Sequence, residues 1–302
     1  MARRYRRRIW ALAYASWLAV ACVDERAAQE PATNGAATRV VTLAPHLAEM
    51  VAAVGGTAKL VGVSAYSDFP PEVATLPVVG DAFAVDKERL ALLQPDVVLA
   101  WESGTPRETV RDLRELGYRV DVIRTRTLGD IAVALERIGG LTEETAASRA
   151  LAADYLDEIS ALREAYSSSE PIRVYFQISE QPLYTVSGGH YISELISVCG
   201  GRNVFADLGE LAPAVSAEAV IVENPEVMLS SAADADRPSL EVWRRWPDVA
   251  ANQYGNRFGV PADLVGRASP RLAQAGKAIC EHLDTARRHR AQFEGRDDEA
   301  DL

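Results

Sequence analysis

Residues 141–169, LTEETAASRALAADYLDEISALREAYSSS, run without a Gly or Pro, follow Gly139-Gly140 and are stopped by Pro171. Thr142 is placed to cap the first turn, and Glu143 and Glu144 put negative charge where a helix N-terminus favours it. Leu151, Tyr155, Ile159, Leu162 and Tyr166 recur at spacings of four, four, three and four, which sets them on one helical face. At 1.5 Å per residue such a rod is roughly 40 Å long, beyond the mean helix of about 11–12 residues. Strand-and-helix alternation lies on both sides, so the pattern predicts one rigid strut joining two α/β halves. Periodicity alone equally allows a long helix belonging to one half.

Before the rod, RVVTLAP, KLVGVS, PDVVLAW and YRVDVIRT read as strands alternating with helical segments. After it the pattern restarts with RVYFQIS, PEVMLSS and NRFGV. Such alternation implies mostly parallel sheets covered on both faces. An internal echo ties the halves together. Glu88 opens a helix ahead of Pro95-Asp96-Val97, and Glu218 opens one ahead of Pro225-Glu226-Val227, an offset of 130 residues throughout. The expected architecture is therefore two Rossmann-like lobes, 38–140 and 170–288, joined by a connecting helix over 141–169, with a ligand cleft between them. In open parallel sheets ligands sit beyond the carboxyl ends of strands, which points to the loops after RVVTLAP, KLVGVS, RVYFQIS and NRFGV.

The chain begins with Arg3, Arg4, Arg6, Arg7 and Arg8, then the apolar run Ile9 to Ala21. A basic head, a short apolar segment and small residues at its end make a secretory signal over 1–22. The run is short of the about 20 residues of a spanning helix. Leu18-Ala19-Val20-Ala21-Cys22 resembles a lipobox, so Cys22 is the expected lipidation site, with plain cleavage nearby as the alternative. Residues 23–37 read as a flexible tether, and 289–302 as a disordered acidic tail. Removing the five leader Arg changes the net charge from −11 to −16, which argues against nucleic acid and anionic membrane surfaces as partners. Cys199 and Cys280 then remain in an oxidising compartment, where a disulfide is expected and two buried thiols are the alternative. No GxSxG, GK[ST] loop or GxGxxG after a strand appears, and no clustered Cys/His zinc signature. The expectation is a binding protein rather than an enzyme, with no cofactor and no metal site of its own.

RVVTLAPHLAEM, VGVSAYSDFPPEV, GDAFAVDKERLALLQPDVVLAW, VCGGRNVFADL, VSAEAVIVENPEV and RASPRL together resemble the periplasmic vitamin B12 (cobalamin)-binding proteins of ABC importers, within the helical-backbone metal-receptor superfamily. The resemblance runs from about residue 38 to 288. It implies a periplasmic, monomeric protein that holds a corrinoid between two lobes and delivers it to an ABC permease dimer. A corrin needs apolar faces and a few polar anchors. The expected ligand contacts are Pro45, His46, Tyr66, Phe83, Tyr184, His190, Asp263 and Arg267. His46 and His190 each begin a helix, one per lobe, and either approaches a bound metal or simply bonds nearby backbone. Glu88 and Glu218 are the carboxylates that such proteins use to dock on the two permease subunits. Ala212 replaces a Trp of the best-known members, and Leu264-Val265 stands where an aromatic is common. These departures leave haem or a siderophore as alternative ligands.

Overall fold

The computed structural model describes residues 36–81, 83–232 and 240–300, with side chains through 295. The signal segment, Cys22 and most of the tether lie outside the described residues. In chain order the elements are β1 (Val40–Thr42), α1 (Pro45–Ala53), β2 (Leu60–Gly62), α2 (Lys87–Leu93), β3 (Val97–Trp101), α3 (Arg107–Glu115), β4 (Val120–Ile123), α4 (Leu128–Leu141) and α5 (Thr145–Ala165). The second half follows with β5 (Ile172–Gln177), β6 (Ser179–Glu180), β7 (Leu183–Tyr184), α6 (Tyr191–Val198), β8 (Gly201–Asn203), α7 (Ala217–Glu223), β9 (Val227–Ala232), α8 (Ala250–Gln253), β10 (Arg257–Pro261), α9 (Ala262–Val265) and α10 (Leu272–Ala300).

Each lobe is built on a four-stranded, all-parallel sheet, ordered β2-β1-β3-β4 in one and β10-β9-β5-β8 in the other. Counted from its own first strand, each lobe has the order second-first-third-fourth. The echo in the sequence is thus a repeated topology. Its local chemistry repeats too. Asp86 caps α2 through the Arg89 amide, and Ser216 caps α7 through the Ala219 amide. Both helices end on a left-handed residue, Gln94 at φ 44° and Asn224 at φ 40°, and a proline follows each, which cannot continue a helix. Arg39 and Arg173 donate to the last carbonyls of α2 and α7 respectively, at Leu93 and Glu223.

The rod is shorter than its Gly- and Pro-free stretch. α5 runs from Thr145 to Ala165, roughly 30 Å at 1.5 Å per residue. Gly139 and Gly140 do not close the preceding helix; they lie inside α4. A Cβ on Gly139 would stand 2.0 Å from the Ser148 Oγ, so glycine there permits the close approach of α4 to α5. Thr142 caps the end of α4, donating to Ile138 O at 2.9 Å, instead of opening α5. Glu143 makes the turn at φ 59°. Tyr155 and Ile159 are buried as their spacing requires.

They join one apolar core that contains Leu47 and Leu99 of the first lobe, Ile131 and Leu135 of α4, Leu195 of α6, Val174 and Leu229 of the second lobe, and Ile279 and Leu283 of α10. The lobes therefore share a layer of helices, of which the rod is one member. Smaller cores cover the opposite faces of the sheets, around Leu90 and Leu113 in one lobe and Trp243 and Tyr175 in the other.

Two boundary expectations are corrected. Ala37, read as tether, is fully buried and donates its amide to Leu141 O at 2.8 Å. Residues 289–300, read as disordered tail, continue α10. His289 bonds Asn256 at 2.8 Å, and Arg290 pairs with Glu226 at 2.8 Å and Glu170 at 2.7 Å. These anchors outweigh the polar composition that suggested fraying.

Cys199 and Cys280 form a disulfide between α6 and α10 and are both fully buried. It closes a sequence separation of 81 residues, for which loop entropy suggests about 4 kcal/mol of stabilisation in the chain-entropy picture. Cys199→Ser plus Cys280→Ser should lower the stability from urea unfolding by about 2–4 kcal/mol. Loss of less than about 1 kcal/mol would show that the helical layer holds without the bridge.

Candidate functional site

The main cavity encloses about 660 Å³ between the lobes, within the range of small-molecule sites. Its first-lobe wall comes from the segments after β1 (Leu43 to His46), β2 (Ser64 to Tyr66) and β3 (Trp101, Gly104), with Asp81 and Phe83. The second-lobe wall is Tyr191, Ala262, Asp263 and Gly266 to Ala268. The strand-end rule holds for β1, β2 and β10. It fails for the loop after β5, whose place is taken by the end of β3.

Six of the expected contacts meet here: Pro45, His46, Tyr66, Phe83, Asp263 and Arg267. Tyr66 is 83% exposed and sits at φ 66°, a left-handed conformation uncommon for a bulky side chain. Phe83 is 87% exposed. The Asp81 carboxylate accepts from the Phe83 amide at 2.8 Å and the Ala84 amide at 2.9 Å, a turn of the kind short acidic side chains favour. Two large aromatics thus stand in solvent at the cavity, an arrangement that burial alone does not explain.

Trp101 is a cavity residue that pattern reading missed, because PDVVLAW scans as a buried strand to its last residue. Its indole meets the His46 ring edge-on, centroids 5.0 Å apart. A Cβ at Gly104 would lie 2.0 Å from the Trp101 ring, so the glycine leaves the indole its space. Trp101 Nε1 is buried without a hydrogen-bond partner among the described residues. The only prior signal was position: Trp101 ends a strand, on the side where ligands bind.

Tyr184 and His190 are not brought to this cavity. Tyr184 lies in the two-residue strand β7, paired with Ser179 and bridged to Ala214, so it belongs to a small hairpin instead of the cleft wall. His190 caps α6, its Nδ1 accepting from the Ile192 amide at 3.2 Å. It lines a separate, more polar pocket of about 400 Å³ with Arg126, Glu194 and Arg202. The two histidines therefore do not share a site, and a joint grip on one metal is not formed. Among the described residues no group of three His, Cys, Asp or Glu is arranged to hold a metal ion.

His46 is neutral. Burial, with the nearby Arg267 charge, pushes its pKa down to about 3. Its Nε2 is sealed from solvent and unpartnered among the described residues, so the ring acts as part of the wall behind Trp101. Burial similarly lowers His190 to about 4.

The charged residues at the cavity do more than wait for a ligand. Arg267 Nη1 lies 2.6 Å from Glu49 Oε1 and 2.6 Å from Asp68 Oδ1, and Nη2 donates to Tyr66 O at 3.3 Å. Its hydrogen bond holds the Asp68 carboxyl below the usual carboxylate range. Arg271 Nε lies 3.3 Å from the other Glu49 oxygen, and its guanidinium covers the Phe69 ring at 4.0 Å. Arg271 also donates to Asp263 O at 2.7 Å. Glu49, on α1, is 3% exposed. It escaped notice in the sequence as one acid in an apolar helix. Arg267, expected as a ligand anchor, spends most of its hydrogen-bonding capacity fastening one lobe to the other.

A family of periplasmic binding proteins matches residues 40–263. The chain belongs to that family. Its members are substrate-binding proteins of the periplasm, which gives the cleft its general role. The chain is 35% identical over 253 residues to a vitamin B12-binding protein of Vibrio cholerae serotype O1, covering 83% of this chain and 91% of that one. It is 34% identical over 258 residues to the vitamin B12-binding protein of Vibrio parahaemolyticus, at 85% and 93% coverage. The crystal structure of the periplasmic vitamin B12 binding protein BtuF of Vibrio cholerae superposes with a TM-score of 0.76 at 35% identity, covering 83% of this chain and 98% of that one. The periplasmic heme-binding protein RhuT from Roseiflexus matches with a TM-score of 0.71 at 23% identity, over 83% of this chain and 100% of that one. That second likeness shows the shared fold alone.

Two measurements address the site. Arg267→Ala takes from the buried Glu49 the nearer of its two counter-charges, leaving Arg271 at 3.3 Å, and should cost stability, by less than the about 3–5 kcal/mol of a fully unpaired buried charge. Glu49→Gln in the same chain should recover much of that loss, and no recovery would contradict the pairing. The histidines set a pH dependence. Unfolded, they take up protons near 6.5; folded, near 3 and 4. Below 6.5 the unfolded state binds more protons, so stability falls as pH drops from 6.5 toward 4. His46→Gln should flatten that fall when urea midpoints at about pH 7 and about pH 4.5 are compared; an unaltered difference would show that His46 protonates as readily folded as unfolded.

Proposed function

We propose that this protein captures cobalamin or a related corrinoid in the interlobe cavity and hands it to the permease of an ABC importer. The observation that carries the reading is the pairing of this cavity with the similarity. A chain 35% identical to vitamin B12-binding proteins over 91% of the relative's length places solvent-exposed Tyr66 and Phe83, with Trp101, around one inter-lobe space. A flat apolar macrocycle rimmed by amides gains from covering such aromatics. The Asp263 carboxylate, 58% exposed beside Arg271, stands at the cavity to meet the amide rim. Capture needs no cofactor and no bond-making, so the protein acts as a monomeric carrier and not as a catalyst. Lipidation of Cys22 tethers it to a membrane, and Glu88 and Glu218 dock it on the two permease subunits.

Titrating purified mature protein with cyanocobalamin, and separately with haemin, tests the reading. Trp fluorescence should quench saturably with cyanocobalamin, and Trp101→Leu should remove most of the change. Saturable haemin binding without cyanocobalamin binding would transfer the protein to the haem receptors, and turnover of either compound would make it an enzyme.

A further inference from the structure

Corrinoid capture in the main cavity leaves the polar pocket of about 400 Å³ idle, and the chemistry of that pocket is one-sided. It lies where the loop Ser187-Gly188-Gly189-His190 enters α6, beside β8 and the start of α4. The loop is tight because its sequence allows it. The Gly188 amide donates to Ala206 O at 2.9 Å, and a Cβ at Gly188 would stand 2.7 Å from that same oxygen, so a larger residue would clash with the backbone it bonds.

Four groups at this pocket are donors without an acceptor among the described residues. Ser193 is 4% exposed. Its Oγ accepts from Asn203 Nδ2 at 2.8 Å, and its own proton is given to nothing. Asn203 cannot take that proton, because its Nδ2 also donates to Val186 O and its Oδ1 accepts from the Phe205 amide, which fixes its orientation. His190 spends only Nδ1 on the helix cap, accepting from the Ile192 amide at 3.2 Å. A neutral imidazole whose Nδ1 accepts carries its proton on Nε2, and that N–H is unused. The Gly189 amide is the third such donor. Arg202 is the fourth: it is exposed and forms no ion pair.

The carboxylates nearby are already engaged. Glu194 is the one acid on the lining. One of its oxygens accepts from the Leu128 amide at 2.8 Å, and the other lies 3.8 Å from Arg163. Arg126, the other cation of the lining, is closed by Glu102 at 2.6 Å. Water satisfies donors at a surface, but a buried hydroxyl proton and an unpaired guanidinium on one pocket suit an acceptor that carries charge. Phosphate offers several acceptor oxygens and matches a guanidinium well. The net negative charge of the chain does not forbid it, since exposed charges are screened beyond about 8 Å at physiological ionic strength.

We infer that this pocket is a second binding site, one for a phosphate oxyanion, with Arg202 as its counter-charge and the Ser193 hydroxyl, the His190 Nε2–H and the Gly189 amide as its neutral donors. Two sources carry that chemistry: the free ion, and the phosphodiester in the nucleotide tail of a cobalamin. The second source rests on the corrinoid reading above; the site does not.

The test uses the purified mature protein. Inorganic phosphate, titrated by calorimetry in a phosphate-free buffer, should bind saturably and shift the imidazole N–H signal of His190, assigned by its loss in His190→Gln. Arg202→Ala should weaken that binding about tenfold or more, the worth of one charge-assisted hydrogen bond, with no change in urea midpoint because the side chain lies in solvent. Cyanocobalamin and dicyanocobinamide, which lacks the nucleotide tail and its phosphate, then separate the sources. If the tail is the occupant, Arg202→Ala weakens cyanocobalamin but not dicyanocobinamide, and inorganic phosphate competes with cyanocobalamin. If the free ion is the occupant, phosphate and cyanocobalamin bind together and Arg202→Ala alters neither corrinoid. Phosphate that does not saturate, or that binds Arg202→Ala as well as the unmodified protein, would overturn the inference. Failure to bind cyanocobalamin would remove the corrinoid reading and leave the phosphate titration to decide the site by itself.

Discussion

A carboxylate withdrawn from water is costly unless it is paired, and Glu49 sits in the first helix of the first lobe almost fully buried. Its counter-charges, Arg267 and Arg271, come from the other lobe, between α9 and α10 and at the threshold of α10. Neither lobe can settle the group by itself. Arg267 also gathers Asp68 and the Tyr66 carbonyl, so the loop bearing an exposed aromatic is fixed by the same contact that joins the lobes. One wall of the cavity is thus held by the contact that joins the lobes. Behind it, the helices α4, α5, α6 and α10 and the Cys199–Cys280 bridge give that contact a firm backing, which favours small changes of gap over wide hinge motion.

The molecule is repeated in its strand order and helix caps and unrepeated in the walls of its cavity. The sheets share one strand order, and α2 and α7 share caps, left-handed ends and exposed faces. The cavity does not follow that repeat: Tyr66, Phe83 and Trp101 all belong to the first lobe, while the second contributes Tyr191, small residues and the Asp263–Arg267 segment. A single macrocycle in one cleft makes no demand for equivalent walls.

Much of the fold was legible from periodicity and punctuation. The parallel lobes and the buried face of α5 follow from local rules acting on short windows, the echo at 130 residues from comparing such windows, and the cysteine pair from the two thiols left in an oxidising compartment. The misreadings share a different cause. Gly139-Gly140 looked like a helix stop, yet its place is decided by the side chain of Ser148, which is near only after α5 folds back. The residues past 288 looked unstructured, yet Arg290 finds Glu226 and Glu170 across the lobe. Tyr184 and His190 had the right chemistry for a ligand, but a hairpin and a helix cap claimed them. Glu49 and Trp101 were invisible because one looked like a stray acid and the other like the end of a core strand.

What the amino-acid order determined by itself was the set of elements, the doubled plan, the polar helix starts and which residues were free to be chemical. Each depends on neighbours within a few positions, where backbone propensity and side-chain period act directly. Tertiary structure decided which of those residues meet. Arg267 became a bridge between lobes, His46 a neutral wall and Trp101 a cavity face, because ion pairing, desolvation and ring packing depend on partners that stand far off along the chain and arrive only when both lobes close on the shared helical layer.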